Sequence, residues 1–180
     1  NPETLETLAG RLHTLPVVEE GELDWDVYGI ISQVDYKFLY AGALDISQAV
    51  DRATARLLSA SDGLHAPPLR LKTVLGEIQI GTTGDDTFES KDHLFLTIDW
   101  GGNDTYRGAA SSRPPYNPLG ITIDLKGNDL YTGTRSAGAG IQGYGFLVDS
   151  EGDDRYEAEE LSQGCGVFGV GGMLDGGGDD

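Results

Sequence analysis

One octapeptide pattern recurs at a nearly fixed interval along the second half of the chain. The pattern is D-x-x-G-[ND]-D-x-[YF], and full copies occupy residues 99–106, 124–131 and 149–156. A shortened copy stands at 175–180, and a degenerate copy at 81–88. The leading aspartates of the last four copies are 25, 25 and 26 residues apart. A fixed period of this length is typical of a repeat architecture, in which each unit stacks on the next.

The composition of each unit favours β-structure. Short apolar runs lead into the first aspartate of the motif, at 95–98, 121–123 and 146–148. Another short run follows the motif tyrosine, and the Gly-rich stretch 138–145 is repeated at 164–171. A unit of about 25 residues is too short for a βαβ crossover but fits one coil of a parallel β-solenoid. The sequence therefore predicts a mainly β fold built on a parallel β-solenoid.

The front of the chain carries helical patterns instead. Residues 1–3, Asn-Pro-Glu, match a helix start, and the apolar segment 24–43 favours mostly helix. A capping-box pattern at 45–48 precedes a further helix that should end near Ala60. The apolar face of that helix consists of Ile46, Val50, Ala53 and Leu57. We expect a small α-helical N-terminal cap that covers one end of the repeat stack.

These patterns divide the chain into three regions. Residues 1–62 form the helical N-terminal segment or cap, residues 63–78 a linker and the first strand, and residues 79–180 the β-solenoid repeats. The last motif copy stops at its sixth position, so the repeats are expected to continue beyond this fragment. Cys165 is the single cysteine, so an internal disulfide is not possible.

Acidic residues are concentrated in the repeats. The whole chain has 30 acidic and 12 basic residues, giving a formal net charge of −18. Residues 81–180 hold 18 of the acids and 6 of the bases. This balance argues against nucleic acid as a partner, because phosphate binding needs clustered Lys and Arg. Membrane insertion is not expected either, since no apolar run approaches the ~20 residues of a membrane span.

Stacking the units in register would turn the motif aspartates into ladders of carboxylates. The rungs would lie ~4.8 Å apart, the strand spacing of a sheet. Two carboxylates ~5 Å apart repel by about 1 kcal/mol in bulk water, and by several at lower dielectric, so the ladders need a counter-charge. A calcium ion fits between rungs because its opposite oxygen ligands are ~4.6–5.2 Å apart. The predicted calcium ligands are Asp86, Asp99, Asn103, Asp104, Asp124, Asn128, Asp129, Asp149, Asp153, Asp154, Asp175, Asp179 and Asp180.

The same acidic residues are also compatible with a metal-free interpretation. Asp and Asn side chains accept hydrogen bonds from their own backbone in Asx turns, and a ladder of such turns could be solvated. The two interpretations can hold together. The aromatic ladder of the motif is predicted to stack in the core or on the surface rather than to bind a ligand. Its members are Phe88, Tyr106, Tyr131 and Tyr156.

The motif resembles the calcium-binding nonapeptide repeat of RTX proteins, G-G-x-G-x-D-x-U-x. Gly81, Gly84, Asp86 and Phe88 match its first, fourth, sixth and eighth positions. The later matches are Gly102, Asp104, Tyr106, Gly127, Asp129, Tyr131, Gly152, Asp154, Tyr156, Gly178 and Asp180. The resemblance covers the repeat half only. It implies calcium bound at the turns of a parallel β-roll, in a secreted or cell-surface protein.

The chain departs from the RTX repeat in two respects. In the last four copies an aspartate stands where that family has its first glycine, and the period is about 25 residues rather than nine or eighteen. The resemblance therefore concerns the chemistry of the turns more than the length of the coil.

Taken together, these features predict a non-catalytic extracellular calcium-binding module with a structural or adhesive role. Its folding should depend on micromolar to millimolar calcium. The expected partners are calcium ions and a cell-surface protein or polysaccharide. One alternative is a metal-free β-solenoid that binds other proteins. A second is a solenoid enzyme that acts on acidic polysaccharide, which would need a basic residue beside the metal. The candidates for that residue are Arg107, Lys126, Arg135 and Arg155.

Overall fold

The computed structural model describes residues 29, 32–60, 67–89, 94–112 and 117–180. The predicted helix start at residues 1–3 lies outside these ranges. The elements are α1 (Tyr36–Ala60), β1 (Leu69–Thr73), β2 (Gly76–Ile80), β3 (Thr87–Glu89), β4 (Leu94–Ile98), β5 (Thr105–Arg107), β6 (Leu119–Asp124), β7 (Leu130–Gly133), β8 (Gly140–Ile141), β9 (Tyr144–Asp149), β10 (Arg155–Ala158), β11 (Gly166–Val167) and β12 (Val170–Asp175).

The strands form the long sides of a solenoid. One sheet has the order β1-β2-β4-β6-β9-β12, a second has β10-β7-β5-β3, and β11 pairs with β8 in a third. All of these strand pairs are parallel except the antiparallel pair β1–β2. The chain passes from sheet to sheet and returns to the same sheet one coil later. The predicted parallel β-solenoid, with coils of about 25 residues, is confirmed.

Equivalent motif positions stack directly on one another. Asp149 pairs with Asp124 on one side and with Asp175 on the other. Tyr131 likewise lies between Tyr106 and Tyr156. From Phe88 to Tyr156, successive aromatic rings are stacked with centroids 4.9, 4.6 and 4.9 Å apart. These distances match the strand spacing of a sheet, so the coils are in register from Phe88 to Tyr156. The pair β2–β4 contains a register shift between Glu77 and Ile78.

Alternation along each strand sorts side chains between the interior and the outside of the coil. In β9, Leu147 packs in the interior with the stacked rings, whereas Phe146 and Val148 face outward. The interior cluster comprises Phe88, Tyr106, Ala109, Ala110, Tyr131, Ala137 and Leu147. The aromatic ladder of the motif is therefore part of the core. This is one of the two locations that the sequence predicted, the other being the surface.

Helix α1 packs on the outward face of the six-stranded sheet, against β9 and β12. Ala43 and Val50 are buried against Ile123, Phe146 and Val148, which come from two different coils. Because these outward side chains form an apolar row along the sheet, they need a cover to leave water. The helix therefore lies along the side of the stack, where the sequence had predicted a cap over one end.

The start of α1 also differs from the sequence-based expectation. Residues 45–48, the predicted capping box, lie within the helix, and residues 32–35 precede it in a non-helical conformation. Asp35 is the N-cap: its Oδ1 accepts a hydrogen bond from the backbone N–H of Lys37 at 2.9 Å. The predicted end of the helix near Ala60 is confirmed.

The glycine at the fourth motif position is required by close contact between coils. Gly127 has φ +153°, and a methyl group on its Cα would overlap the carbonyl oxygen of Gly102 in the preceding coil. A larger residue would push the two turns apart.

We expect Gly127→Ala to lower the free energy of unfolding by about 1–3 kcal/mol more than Gly177→Ala does. Gly177 has a similar φ of +156°, but no atom lies within 4 Å of a methyl group placed there. The pair therefore separates close contact between coils from backbone strain. Urea unfolding of both variants measures the difference, and equal losses would contradict the close-contact explanation.

Candidate metal centre

Four groups of three aspartates bring carboxylate oxygens within 4.8 Å of one another. We name them triads 1 to 4: Asp86/Asp99/Asp104, Asp104/Asp124/Asp129, Asp129/Asp149/Asp154 and Asp154/Asp175/Asp180. Each triad combines both aspartates of one motif copy with the second aspartate of the preceding copy. Asp104, Asp129 and Asp154 each belong to two triads, so the four groups form one continuous row.

The first aspartate of the motif reaches the row because it stands at the end of a strand of the large sheet. Asp124 and Asp149 are the last residues of β6 and β9, and strand alternation directs their side chains inward. Tyr131 donates its hydroxyl proton to Asp149 Oδ2 at 2.6 Å, and Tyr106 donates in the same way to Asp124 Oδ2. Each tyrosine thus supports the aspartate of the next coil.

Several of these first aspartates also form Asx turns. The N–H of Gly101 donates to Asp99 Oδ2 at 2.7 Å, and the N–H of Lys126 donates to Asp124 Oδ1 at 2.9 Å. Asp175 accepts from the N–H of its own turn at 3.2 Å. The turn chemistry of the metal-free interpretation is therefore present. The second oxygens of Asp124 and Asp175 accept from tyrosine hydroxyls, whereas Asp99 Oδ1 has no partner among the described residues.

The second aspartate of the motif links neighbouring coils through one of its oxygens. The N–H of Asp104 donates to Asp129 Oδ1 at 2.6 Å, and the N–H of Asp129 donates to Asp154 Oδ1 at 2.8 Å. The same bond begins the row at Asp86 and ends it at Asp180. Only Oδ1 is used in these bonds, so Oδ2 remains for the triad.

Five buried carboxylate oxygens have no hydrogen-bond partner among the described residues. They are Asp99 Oδ1, Asp104 Oδ2, Asp129 Oδ2, Asp149 Oδ1 and Asp154 Oδ2. These side chains are at most 5 % exposed. Leaving a buried charged acceptor unsatisfied costs more than the ~1–3 kcal/mol of a neutral group. A hard cation in the triads would contact these oxygens and balance their charge, so the donor set fits a metal ion.

Burial and mutual repulsion raise the pKa of the triad carboxyls. Removal from water is the main cause, and it raises the pKa of Asp99 and Asp129 to about 9 and that of Asp149 to about 8. Neighbouring carboxylates add to the rise. Burial raises the pKa of Asp124 to about 6, and hydrogen bonds from the Tyr106 hydroxyl and the Lys126 N–H partly offset that rise. A metal ion must therefore displace protons from these side chains.

Four of the predicted ligands lie outside the triads, on the exposed side of the turns. They are Asn103, Asn128, Asp153 and Asp179. The backbone N–H of each residue donates to the side-chain oxygen of the equivalent residue in the preceding coil, and these bonds form a ladder on the exposed side. For example, the N–H of Asn128 donates to Asn103 Oδ1 at 3.0 Å. The ladder continues through Asp153 to Asp179 and begins at Asp85, which the sequence analysis did not include. The other nine predicted ligands are the triad residues.

Comparison of the chain with protein-family models, with curated proteins and with solved structures found no match in any of the three. The RTX resemblance therefore rests on the motif positions alone. Among the described residues, no helix combines the length and the apolar content that a bilayer crossing requires.

Without metal, the protein should lose stability as the pH rises from about 5 to about 9. The pKa of Asp99 and Asp129 is about 9 in the folded chain, far above the ordinary value near 4. Protons on these groups stabilise the fold fully below the unfolded pKa, and this stabilisation is lost as the pH rises through the folded pKa. Because neighbouring triad carboxyls titrate together, the decline is the combined effect of the row and not a sum over independent residues. Chelator-treated thermal melts measure it.

Asp129→Asn should make this decline shallower. The amide oxygen can still accept the N–H of Asp104, but the side chain no longer titrates. Asp153→Asn is the matched control, because Asp153 is exposed and accepts the N–H of Asp179 outside the triads. Its decline should equal that of the wild type. A melting temperature of the metal-free wild type that does not change with pH would contradict the buried-carboxyl account.

Proposed function

We propose that this chain is an extracellular calcium-binding module, in which calcium ions in the triads join successive coils of the solenoid into a rigid rod. The observation that carries the proposal is that the triads contain five aspartates, each with one buried carboxylate oxygen that has no partner among the described residues. Proteins rarely leave buried polar atoms unsatisfied, so a ligand that contacts them explains their position.

Calcium suits the triads better than magnesium does. The ligands are carboxylate oxygens within 4.8 Å of one another, and opposite oxygens around calcium are ~4.6–5.2 Å apart. Magnesium holds its ligands at ~2.0–2.1 Å in a strict octahedron and retains several waters, which a row of closely stacked buried turns does not favour. Soft metals are disfavoured because the described triads contain neither thiolate nor imidazole.

The charge of the row supports occupancy by several divalent ions. The four triads use nine different aspartates, which carry −9 when all are ionised. One divalent ion in each of four triads supplies +8 and leaves the row close to neutral. The ions would also use the shared carboxylates of Asp104, Asp129 and Asp154 on both sides. Calcium binding would therefore contribute directly to the stability of the stacked coils.

This chemistry supports the proposed structural or adhesive role outside the cell. Extracellular calcium modules work at ~10⁻⁴–10⁻³ M, concentrations that would keep such a row filled. The motif resemblance to RTX repeats supports the same location. A rod with a continuous sheet face could present a surface to a cell-surface protein or polysaccharide, and these remain the proposed partners.

A non-catalytic role is part of the proposal. The basic residues that a polysaccharide-cleaving enzyme would need beside the metal are partly engaged elsewhere. Arg107 pairs with Glu89 at 3.2 Å and Arg155 pairs with Glu157, and both arginines are exposed. Lys126 is exposed as well, and Arg135 is half-buried, with its backbone N–H donating to the carbonyl oxygen of Glu160 at 2.9 Å. These positions do not favour a proton-abstracting group directed at the buried triads.

Calcium titration of the chelator-stripped protein tests the proposal. Isothermal titration calorimetry should show up to four calcium ions bound per chain, one for each triad. The melting temperature should rise strongly, because a site filled at 100 times its Kd adds about 2.7 kcal/mol of stability. Far-UV circular dichroism should show a gain in β signal with calcium, and magnesium at equal concentration should do much less.

Asp129→Asn provides the matched loss-of-function variant, because Asp129 contributes to triads 2 and 3. It should reduce the number of tightly bound ions by about two, whereas Asp153→Asn should bind as the wild type does. No heat of binding and no change in melting temperature for the wild type would overturn the calcium proposal. The metal-free protein-interaction solenoid, held together by its Asx turns, would then be the better explanation.

A further inference from the structure

A row of tyrosine hydroxyls accompanies the row of triads. Tyr131 donates to Asp149 Oδ2 and Tyr156 to Asp175 Oδ2, both at 2.6 Å. Tyr106 donates to Asp124 Oδ2 in the same manner. Each bond joins the tyrosine of one coil to the first aspartate of the next. Triads 2, 3 and 4 therefore each contain one aspartate that is held by a tyrosine.

Triad 1 is the exception. The residue equivalent to the tyrosines is Phe88, which stacks on Tyr106 with ring centroids 4.9 Å apart but has no hydroxyl. Its ring tip borders the carboxylate of Asp99: a methyl group on Gly81 would overlap Asp99 Oδ1 and lie 2.6 Å from Phe88 Cζ. Asp99 Oδ1 is among the buried oxygens that have no partner in the described chain.

We propose that Tyr106, Tyr131 and Tyr156 are positioning residues that set the calcium affinity of triads 2 to 4, and that Phe88 makes triad 1 a weaker site. This inference rests on the proposed calcium binding. A hydroxyl that donates to a ligating carboxylate fixes the direction of that carboxylate before the ion arrives. Partners of this kind change metal affinity by about 10–100-fold when they are removed.

The ring and the hydroxyl of each tyrosine have separable roles. The stacked ring fills the interior of the coil, and phenylalanine can do the same, as Phe88 shows at the first position. If packing alone mattered, a hydroxyl would not be needed at positions that are almost completely buried, where an unpaired polar atom is costly. The hydroxyls of Tyr106 and Tyr131 are nevertheless buried, and each is bonded to a triad aspartate. Because both hydroxyls donate to the equivalent aspartate of the next coil, they indicate a function at that carboxylate.

Tyr131→Phe tests the inference in the complete 180-residue chain. It keeps the ring stack and removes the hydroxyl next to Asp149. Calcium competition with a chromophoric chelator should show that one of the bound ions becomes about 10–100-fold weaker. The other ions should keep affinities near those of the wild type.

Tyr144→Phe is the matched control. Tyr144 donates its hydroxyl to the backbone oxygen of Leu39 at 3.1 Å, on the helix-covered face and outside the triads. Its substitution should change the melting temperature with and without calcium by the same amount and should leave calcium affinity unchanged. Tyr131→Phe should instead reduce the additional stabilisation that calcium provides, an effect that a purely structural role would not produce.

Phe88→Tyr is the reciprocal variant. It adds a hydroxyl, so its result does not depend on whether the fold tolerates the loss of one. It should strengthen calcium binding at triad 1 by about tenfold, because the new hydroxyl lies next to Asp99. Calcium affinities of Tyr131→Phe and Phe88→Tyr that both equal those of the wild type would overturn the inference while leaving the proposed function intact. No calcium binding by the wild type would overturn the proposed function, and this inference with it.

Discussion

The stacking of buried carboxylates at the spacing of β-strands is the constraint on which the rest of this structure depends. The parallel register places Asp124, Asp149 and Asp175 in one row inside the coil, where water cannot reach the first two. Such a row is unfavourable unless it is protonated, hydrogen-bonded or neutralised by a cation. Hydrogen bonds from the tyrosine hydroxyls and the turn N–H groups satisfy some of the carboxylate oxygens. The remaining need for a counter-charge is concentrated in the four triads.

Much of this arrangement could be predicted from the sequence, because it follows from two periodicities. The interval of about 25 residues sets the coil, and the alternation within a strand sets which side chain points inward. The interval and the motif copies that it relates predicted the β-solenoid and included all nine triad aspartates among the expected ligands. Strand alternation explains why the side chains at the strand ends point inward. Helix α1 was predicted, including its end at Ala60, because its apolar residues recur on one face.

Other features depend on contacts that no local pattern encodes. The side-on position of α1 results from an apolar row that Ile123, Phe146 and Val148 build from separate coils. The residues at 45–48 resemble a capping box, but the helix is already formed there because Asp35 caps it earlier. From the sequence, the motif tyrosines were expected only to stack as aromatic rings. The aspartate to which each hydroxyl donates depends on how neighbouring coils are placed. Whether Asn103 and its equivalents face the triads or the solvent likewise depends on the shape of the turn.

Sharing of Asp104, Asp129 and Asp154 between neighbouring triads has a mechanical consequence. Every ion in the proposed row would clamp two coils, and no ion could be lost from the middle without loosening ligands on both sides. Unwinding under load would therefore proceed from an end, one coil and one ion at a time. A rod built in this way would yield in discrete steps under tension, with a resistance set by the calcium concentration of its surroundings.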